Sequence, residues 1–202
     1  MSSKRKSFDN PLILIGLTLI SLAFVLIFSI YFPILKQEVN YATRQMNQIH
    51  TYEVEPVDPD FAIVIEKIGA NSKIVANVDP FNSYEYQQAL TQGVAQARGS
   101  ALPGQPGSLF LFSHSSADLF QATRYNSVFY LLDKLLPGDK VLIYYQGRKY
   151  TYTLTQKILA KAEDINYLTT KSPEKTLTLM TCWPPGTSLK RLIWLGSLDN
   201  PT

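Results

Sequence analysis

Thr176-Leu177-Thr178-Leu179-Met180-Thr181-Cys182, closed by Trp183-Pro184-Pro185-Gly186, is the stretch that organises this chain. β-Branched and large apolar residues favour extended backbone, because their side chains pack well on a pleated surface. The Pro-Pro-Gly run then denies the strand a continuation: proline donates no amide hydrogen and glycine admits turn backbone. A strand therefore ends at Cys182, a rigid loop follows, and a second strand runs from Arg191 to Leu198. The only cysteine of the chain stands at that strand end, beside a loop that can admit substrate.

Working outward, 202 residues leave room for one domain with accessories. The net charge of +3 is small, and much of the excess lies near the N-terminus. No basic stripe interleaved with aromatics runs through the rest, which excludes a nucleic-acid surface. A single cysteine excludes an intrachain disulfide and argues against a cysteine-based metal site. His50 lies in a polar linker without a ligand set around it, so no metal and no other cofactor is expected. Nor does any acidic cluster suggest calcium activation.

Residues 1–10 are polar and carry Lys4, Arg5 and Lys6, whereas Pro11 to Leu35 contains no charge at all. About 20 apolar residues span a bilayer core as a helix, so this run suffices with some tilt. A cleaved signal has an apolar region of only about 7–15 residues followed by small residues. Here Tyr31-Phe32-Pro33-Ile34-Leu35 is bulky throughout, which favours an uncleaved anchor. The basic cluster should remain cytoplasmic. The organisation expected is a cytoplasmic N-terminus at 1–10, a single-pass transmembrane anchor at 11–35, an extracytoplasmic linker at 36–60 and a folded domain at 61–202. The first half of the linker can continue the membrane helix by a few turns; Pro56, Pro59 and the acidic Glu53, Glu55, Asp58 and Asp60 read as a solvated spacer. In that oxidising setting a lone thiol has no partner to bridge, so reactivity is the better reason for its presence.

From Phe61 the pattern changes to short strands broken by turns. Phe61–Ile65 precedes a turn at Gly69-Ala70-Asn71-Ser72, and Lys73–Val78 precedes Asp79-Pro80. Tyr84–Leu90 admits a short helix, Gly93–Gln96 a weak strand and Ser108–Ser113 a strong one that ends at His114. The spacing of Val128, Leu131, Leu132 and Leu135 predicts a helix over Asn126–Leu136. Lys140–Tyr145 and Lys149–Leu159 flank Gln146-Gly147-Arg148 as a hairpin. About eight short strands with little helix point to an all-β barrel or sandwich.

Three strand ends then carry chemistry: His114, Cys182 and Arg191. A free thiol has a pKa of about 8.5, so it needs a neighbouring imidazole to take its proton. A guanidinium keeps its charge and can donate to an oxyanion. Together they describe acyl transfer through a thioester. Taken singly, Cys182 also reads as a small buried hydrophobe, His114 as a hydrogen-bonded loop residue and Arg191 as a solvated strand-edge charge.

Thr178-Leu179-Met180-Thr181-Cys182 with Arg191 downstream resembles the TLxTC…R signature of sortases, the membrane-anchored cysteine transpeptidases of bacterial surfaces. The likeness extends in order from about Phe61 to Leu198. It takes in Phe61–Ile68, Ala89-Leu90 with Gly93-Val94, Ala101-Leu102-Pro103-Gly104-Gln105-Pro106-Gly107-Ser108, His114-Ser115-Ser116 and Leu135-Leu136-Pro137-Gly138-Asp139. Glu66 stands where proline is common in the family, and Ser113 where glycine is frequent. The resemblance implies an all-β, sortase-like closed barrel of about eight strands with short helices, preceded by one N-terminal transmembrane helix. It further implies that Cys182 attacks an LPxTG-like sorting signal of a surface protein, His114 serves as acid and base, and Arg191 stabilises the oxyanion or positions the sorting peptide. Thr181 would line the substrate peptide's groove. The acceptor would be an amine of a cell-wall precursor or a pilin lysine. Lys190 competes with Arg191 for the oxyanion role, but alternation lets only one of them reach the site. The same dyad also suits a membrane-anchored thiol protease with water as acceptor. A non-catalytic anchored adhesion or scaffold barrel leaves the coincidence of Cys, His and Arg unexplained.

Overall fold

A computed structural model describes residues 11–46, 54–115, 128–164, 167 and 173–199. The basic cluster within 1–10, His50, Glu53, Ser116 and Asn126 lie outside these residues. Eight strands close into a barrel in the order β1-β2-β3-β4-β7-β8-β6-β5. They are β1 (Phe61–Ile65), β2 (Ala70–Val78), β3 (Val94–Ala97), β4 (Gly107–Phe112), β5 (Lys140–Tyr145), β6 (Arg148–Lys161), β7 (Lys175–Trp183) and β8 (Lys190–Leu198). β5 returns to pair with β1 and completes the closure. Closure removes the exposed strand edges that would otherwise pair with another chain.

Two of the pairings are parallel, and both matter for the site. β2 and β3 run parallel and are joined through α2 (Ser83–Leu90), since parallel neighbours need a crossover long enough to return the chain. β4 and β7 also run parallel, in register from Gly107↔Lys175 to Phe112↔Met180. Their C-terminal ends therefore reach the same rim.

Side-chain alternation divides the apolar residues into two clusters. Ile63, Ile65, Leu109, Leu111, Leu177, Leu179 and Trp194 fill the barrel. Phe110 and Phe112 point outward and form a smaller cluster with Ala89 and Leu90 of α2, against which Met180 packs. β1 is buried at every position, which explains its unbroken apolar run. Gly104 adopts φ +79, and a Cβ there would come within 2.5 Å of the Tyr150 ring, so the Pro103-Gly104 turn needs a glycine on both counts.

Two local expectations are corrected. Asn71 and Ser72 belong to β2, because the turn is already completed by the short 3-10 segment Glu66–Ile68 and left-handed Gly69. The Asn71 side chain instead donates to Glu55 O at 2.8 Å and accepts from Val57 N–H at 3.0 Å, tying the preceding segment to the barrel. The helix expected through Leu135 is a turn followed by a 3-10 segment, Leu132–Lys134. Its apolar residues Phe129, Leu131, Leu132 and Leu135 are all buried in the barrel cluster. Helical spacing there reflects a compact plug; so short a segment gains little from helix propagation.

The N-terminal helix α1 is continuous over Pro11–Met46. Its Pro11–Ser29 portion is long and apolar enough to cross a membrane, and none of it is buried against protein. Farther along, Tyr41 packs on the barrel cluster, and Glu38 lies 3.7 Å from Lys134.

Candidate active site

The parallel register of β4 and β7 places two functional residues together. Phe112 and Met180 are the last paired residues, and Ser113 N–H donates to Met180 O at 3.2 Å just beyond them. Ser113 and Thr181 share the same offset of 68 residues, joined by a hydrogen bond from Thr181 Oγ1 to Ser113 O at 2.8 Å. His114 and Cys182 follow these two residues on their strands, and both line the same groove. In the antiparallel ladder on the other side of β7, Cys182 is the direct partner of Arg191. The thiol thus has the histidine strand on one flank and the arginine strand on the other.

Alternation decides which side chains share a face. Leu177, Leu179 and Thr181 are buried, whereas Met180 and Cys182 are half-buried on the outer face. On β8, Leu192 and Trp194 belong to the barrel interior, so Arg191 lies on the outer face with Cys182. Lys190 is exposed, pairs with Trp183 and does not border the site.

A groove of about 410 Å³ opens over this face, lined by His114, Cys182 and Arg191. Phe112 and Met180 contribute apolar surface beside the thiol, and Tyr86 and Leu90 of α2 wall one side. Ala162 and Asp164, just past β6, and Ser188 between β7 and β8 also line it. Asp164 is the one carboxylate among these lining residues. The Arg191 guanidinium is braced by its own loop, donating from Nη1 to Ser188 O and Lys190 O at 3.2 Å each. That loop is tight: Thr187 N–H and Oγ1 both donate to Pro184 O, at 3.0 and 2.8 Å.

His114 is half-buried, and desolvation lowers its pKa from the ordinary imidazole value. Burial thus disfavours the imidazolium form of the ring. Among the described residues, no side chain is hydrogen-bonded to it. The flanking Ser113 and Ser115 hydroxyls are buried and have no hydrogen-bond partner among the described residues. Thr181 is 2% exposed and its hydroxyl is engaged by Ser113. Among the described residues, no three His, Cys, Asp or Glu side chains gather as a metal site.

His114, Cys182 and Arg191 are thus brought to one groove, and Thr181 borders it with its side chain on the opposite face from the thiol. Sequence reasoning missed the α2 side of the groove. Its signal was present: Asn82 caps α2 by accepting from Glu85 N–H at 3.2 Å, the Asn-x-x-Glu pattern of a helix start. Phe81 stands directly before that cap, lines the groove and is two-thirds exposed.

A family model for the Sortase domain matches residues 63–199. Among solved structures, sortase C-1 of Actinomyces oris is 24% identical over 81% of this chain and 85% of its own, with a TM-score of 0.60. A lid mutant of sortase A from Corynebacterium diphtheriae is 22% identical over 78% of each chain, also at 0.60. A sortase D5 transpeptidase from Clostridium perfringens is 22% identical over 82% of this chain and 94% of its own, at 0.56. At these identities the likeness is one of fold. No curated protein sequence matches the chain.

Proposed function

The chain belongs to the sortase family, and on that premise we propose that it is a membrane-anchored transpeptidase whose nucleophile is Cys182. The observation that carries this reading is that His114, Cys182 and Arg191 line one groove, with Ser113 bonded to Thr181 just before the first two and Arg191 directly across the ladder from Cys182.

In the first half-reaction, the Cys182 sulfur attacks the carbonyl carbon of a Thr–Gly bond in an LPxTG-like sorting signal. The thiol proton passes to the neutral His114 imidazole. The carbonyl oxygen gains negative charge, which the Arg191 guanidinium stabilises by donated hydrogen bonds. Collapse breaks the C–N bond; imidazolium returns the proton to the leaving amine, and an acyl thioester remains on Cys182. In the second half-reaction an amine attacks the thioester, His114 removes the excess proton, and the thiol is regenerated as the new amide forms. The acceptor is an amine of the cell envelope, from a cell-wall precursor or a pilin lysine.

Residues 11–35 anchor the chain as a single span, 1–10 remain cytoplasmic, 36–60 lead away from the membrane and 61–202 act outside it. Support comes from the apolar portion of α1, which has no protein cover.

The test uses the full chain in detergent micelles, incubated with a library of LPxTG-type peptides with and without an amine. Mass spectrometry should find a thioester on Cys182 and, with amine present, a ligated product. Cleavage without ligation for every amine offered would favour a thiol protease; no thioester with any peptide would remove the transpeptidase reading.

A further inference from the structure

Cys182 is not the only residue of its strand that bears on the histidine. Bases in thiol and hydroxyl nucleophile sites are ordinarily oriented by a third group hydrogen-bonded to the ring. His114 has no such side-chain partner among the described residues, so its ring depends on backbone placement and packing. The backbone just before it is held from both ends. Ser113 N–H donates to Met180 O at 3.2 Å, and Ser113 O accepts from the Thr181 hydroxyl at 2.8 Å. The second bond is buried, and Thr181 faces away from the thiol.

We propose that Thr181 is a positioning residue: its hydroxyl clamps the Ser113 peptide to β7 and so fixes His114 within proton-transfer reach of Cys182. The inference rests on the catalytic roles proposed for His114 and Cys182. Thr181 then does not hold the sorting peptide; it acts through the main chain on the base. Valine at this position keeps the shape, removes the donor and leaves the buried Ser113 carbonyl without this bond. Serine keeps the donor.

The test compares wild type, Thr181→Val and Thr181→Ser as full chains in micelles, with thermal unfolding as the check on folding. Two readouts are used: kcat and KM for a sorting-signal peptide, and the pH profile of Cys182 alkylation by iodoacetamide, which needs no substrate. Thr181→Val should lower kcat about 10- to 100-fold, because small displacements of a catalytic group cost that much. KM should remain within about twofold, since the clamp does not touch substrate. The imidazole-dependent limb of the alkylation profile should weaken or move in Thr181→Val and be retained in Thr181→Ser. Wild-type kcat in Thr181→Val, a change confined to KM, or serine no better than valine would each overturn the clamp. If wild type forms no thioester, the proposed function fails, and the alkylation profile alone decides: an unchanged profile in Thr181→Val refutes the clamp. If Thr181→Val does not fold, Thr181→Ala is compared with Thr181→Ser by the same readouts. Failure of both to fold would make the residue structural only and refute the proposal.

Discussion

Cys182 and Arg191 are directly opposed residues of the β7–β8 ladder, so the thiol and the guanidinium rise from neighbouring strands on one face of the sheet. Lys190, one residue earlier, pairs with Trp183 and belongs to the other face. Strand register therefore decides which of the two adjacent basic residues shares the face of the thiol, and they are not interchangeable in position.

Arg191→Ala should lower the rate of thioester formation by about 10²–10³-fold, the usual cost of losing an oxyanion donor. Lys190→Ala should leave that rate nearly unchanged. Arg191→Lys should recover only part of the loss, because an ammonium lacks the planar fork. Single-turnover acylation measured by mass spectrometry checks all three, and equal losses for Arg191→Ala and Lys190→Ala would refute the assignment.

The fold was legible where local chemistry and tertiary need agree. β7 and β8 were visible because Pro184-Pro185-Gly186 leaves the chain no option but a turn, and the β5–β6 hairpin because its alternation matches a one-sided burial. Illegible were features set by distant partners. Val128, Leu131, Leu132 and Leu135 are spaced as on a helix, yet they form a turn and a short 3-10 segment packed into the barrel cluster. Asn71 has turn chemistry, yet its side chain is used to hold the segment at Glu55 and Val57. The thiol, the imidazole and the guanidinium were found in sequence by type; Arg191 meets Cys182 through the β7–β8 ladder of consecutive strands, but the histidine strand is brought to the thiol strand by a parallel pairing across 68 residues that no local pattern encodes. The burial of Thr181 depends on that same pairing, and the α2 wall of the groove on the parallel pairing of β2 and β3.

Burial of His114 lowers its pKa, which makes a prediction about acid. The folded chain binds this proton less readily than the unfolded chain does. Above the ordinary imidazole value of about 6.5 the group has no effect on stability. As pH falls from there through the lowered folded value, protonation increasingly favours unfolding, so stability drops. His114→Gln should flatten that part of a denaturation-versus-pH curve. In wild type, the acidic limb of the acylation rate should lie below the ordinary imidazole value. An acidic limb above it would contradict a neutral resting base.

Asp199 closes the far end of β8 onto the β5–β6 hairpin. Burial alone would raise its pKa, but hydrogen bonds from Lys140 and Thr153 and the Lys140 charge outweigh that and hold it below the ordinary carboxylate value. Its contribution is present above the unfolded carboxylate value and is lost as pH falls through the lowered folded one. Asp199→Asn should destabilise the chain by no more than about 1 kcal/mol at neutral pH, given the partial exposure of the pair. The difference from wild type should vanish in acid. Urea denaturation at neutral and acidic pH separates these outcomes.

Trp194 connects the barrel core to the site through its own strand. It is fully buried, its indole Nε1–H donates to Leu132 O at 2.9 Å, and Lys157 Nζ lies 5.6 Å from its ring centroid. Leu132 belongs to the plug, so this one bond joins the plug to β8, three residues beyond Arg191. Trp194→Phe keeps an aromatic ring but removes the donor, leaving the Leu132 carbonyl with only the 3.4 Å bond from Leu135 N–H, at a cost of about 0.5–1.5 kcal/mol. The smaller ring adds the cost of a void. The midpoint of urea unfolding should therefore fall. KM should change little, because Trp194 faces the interior and does not border the groove. Any fall in kcat should be smaller than that of Arg191→Ala. A variant of wild-type stability would show that the plug is held by its apolar contacts alone, without the indole bond.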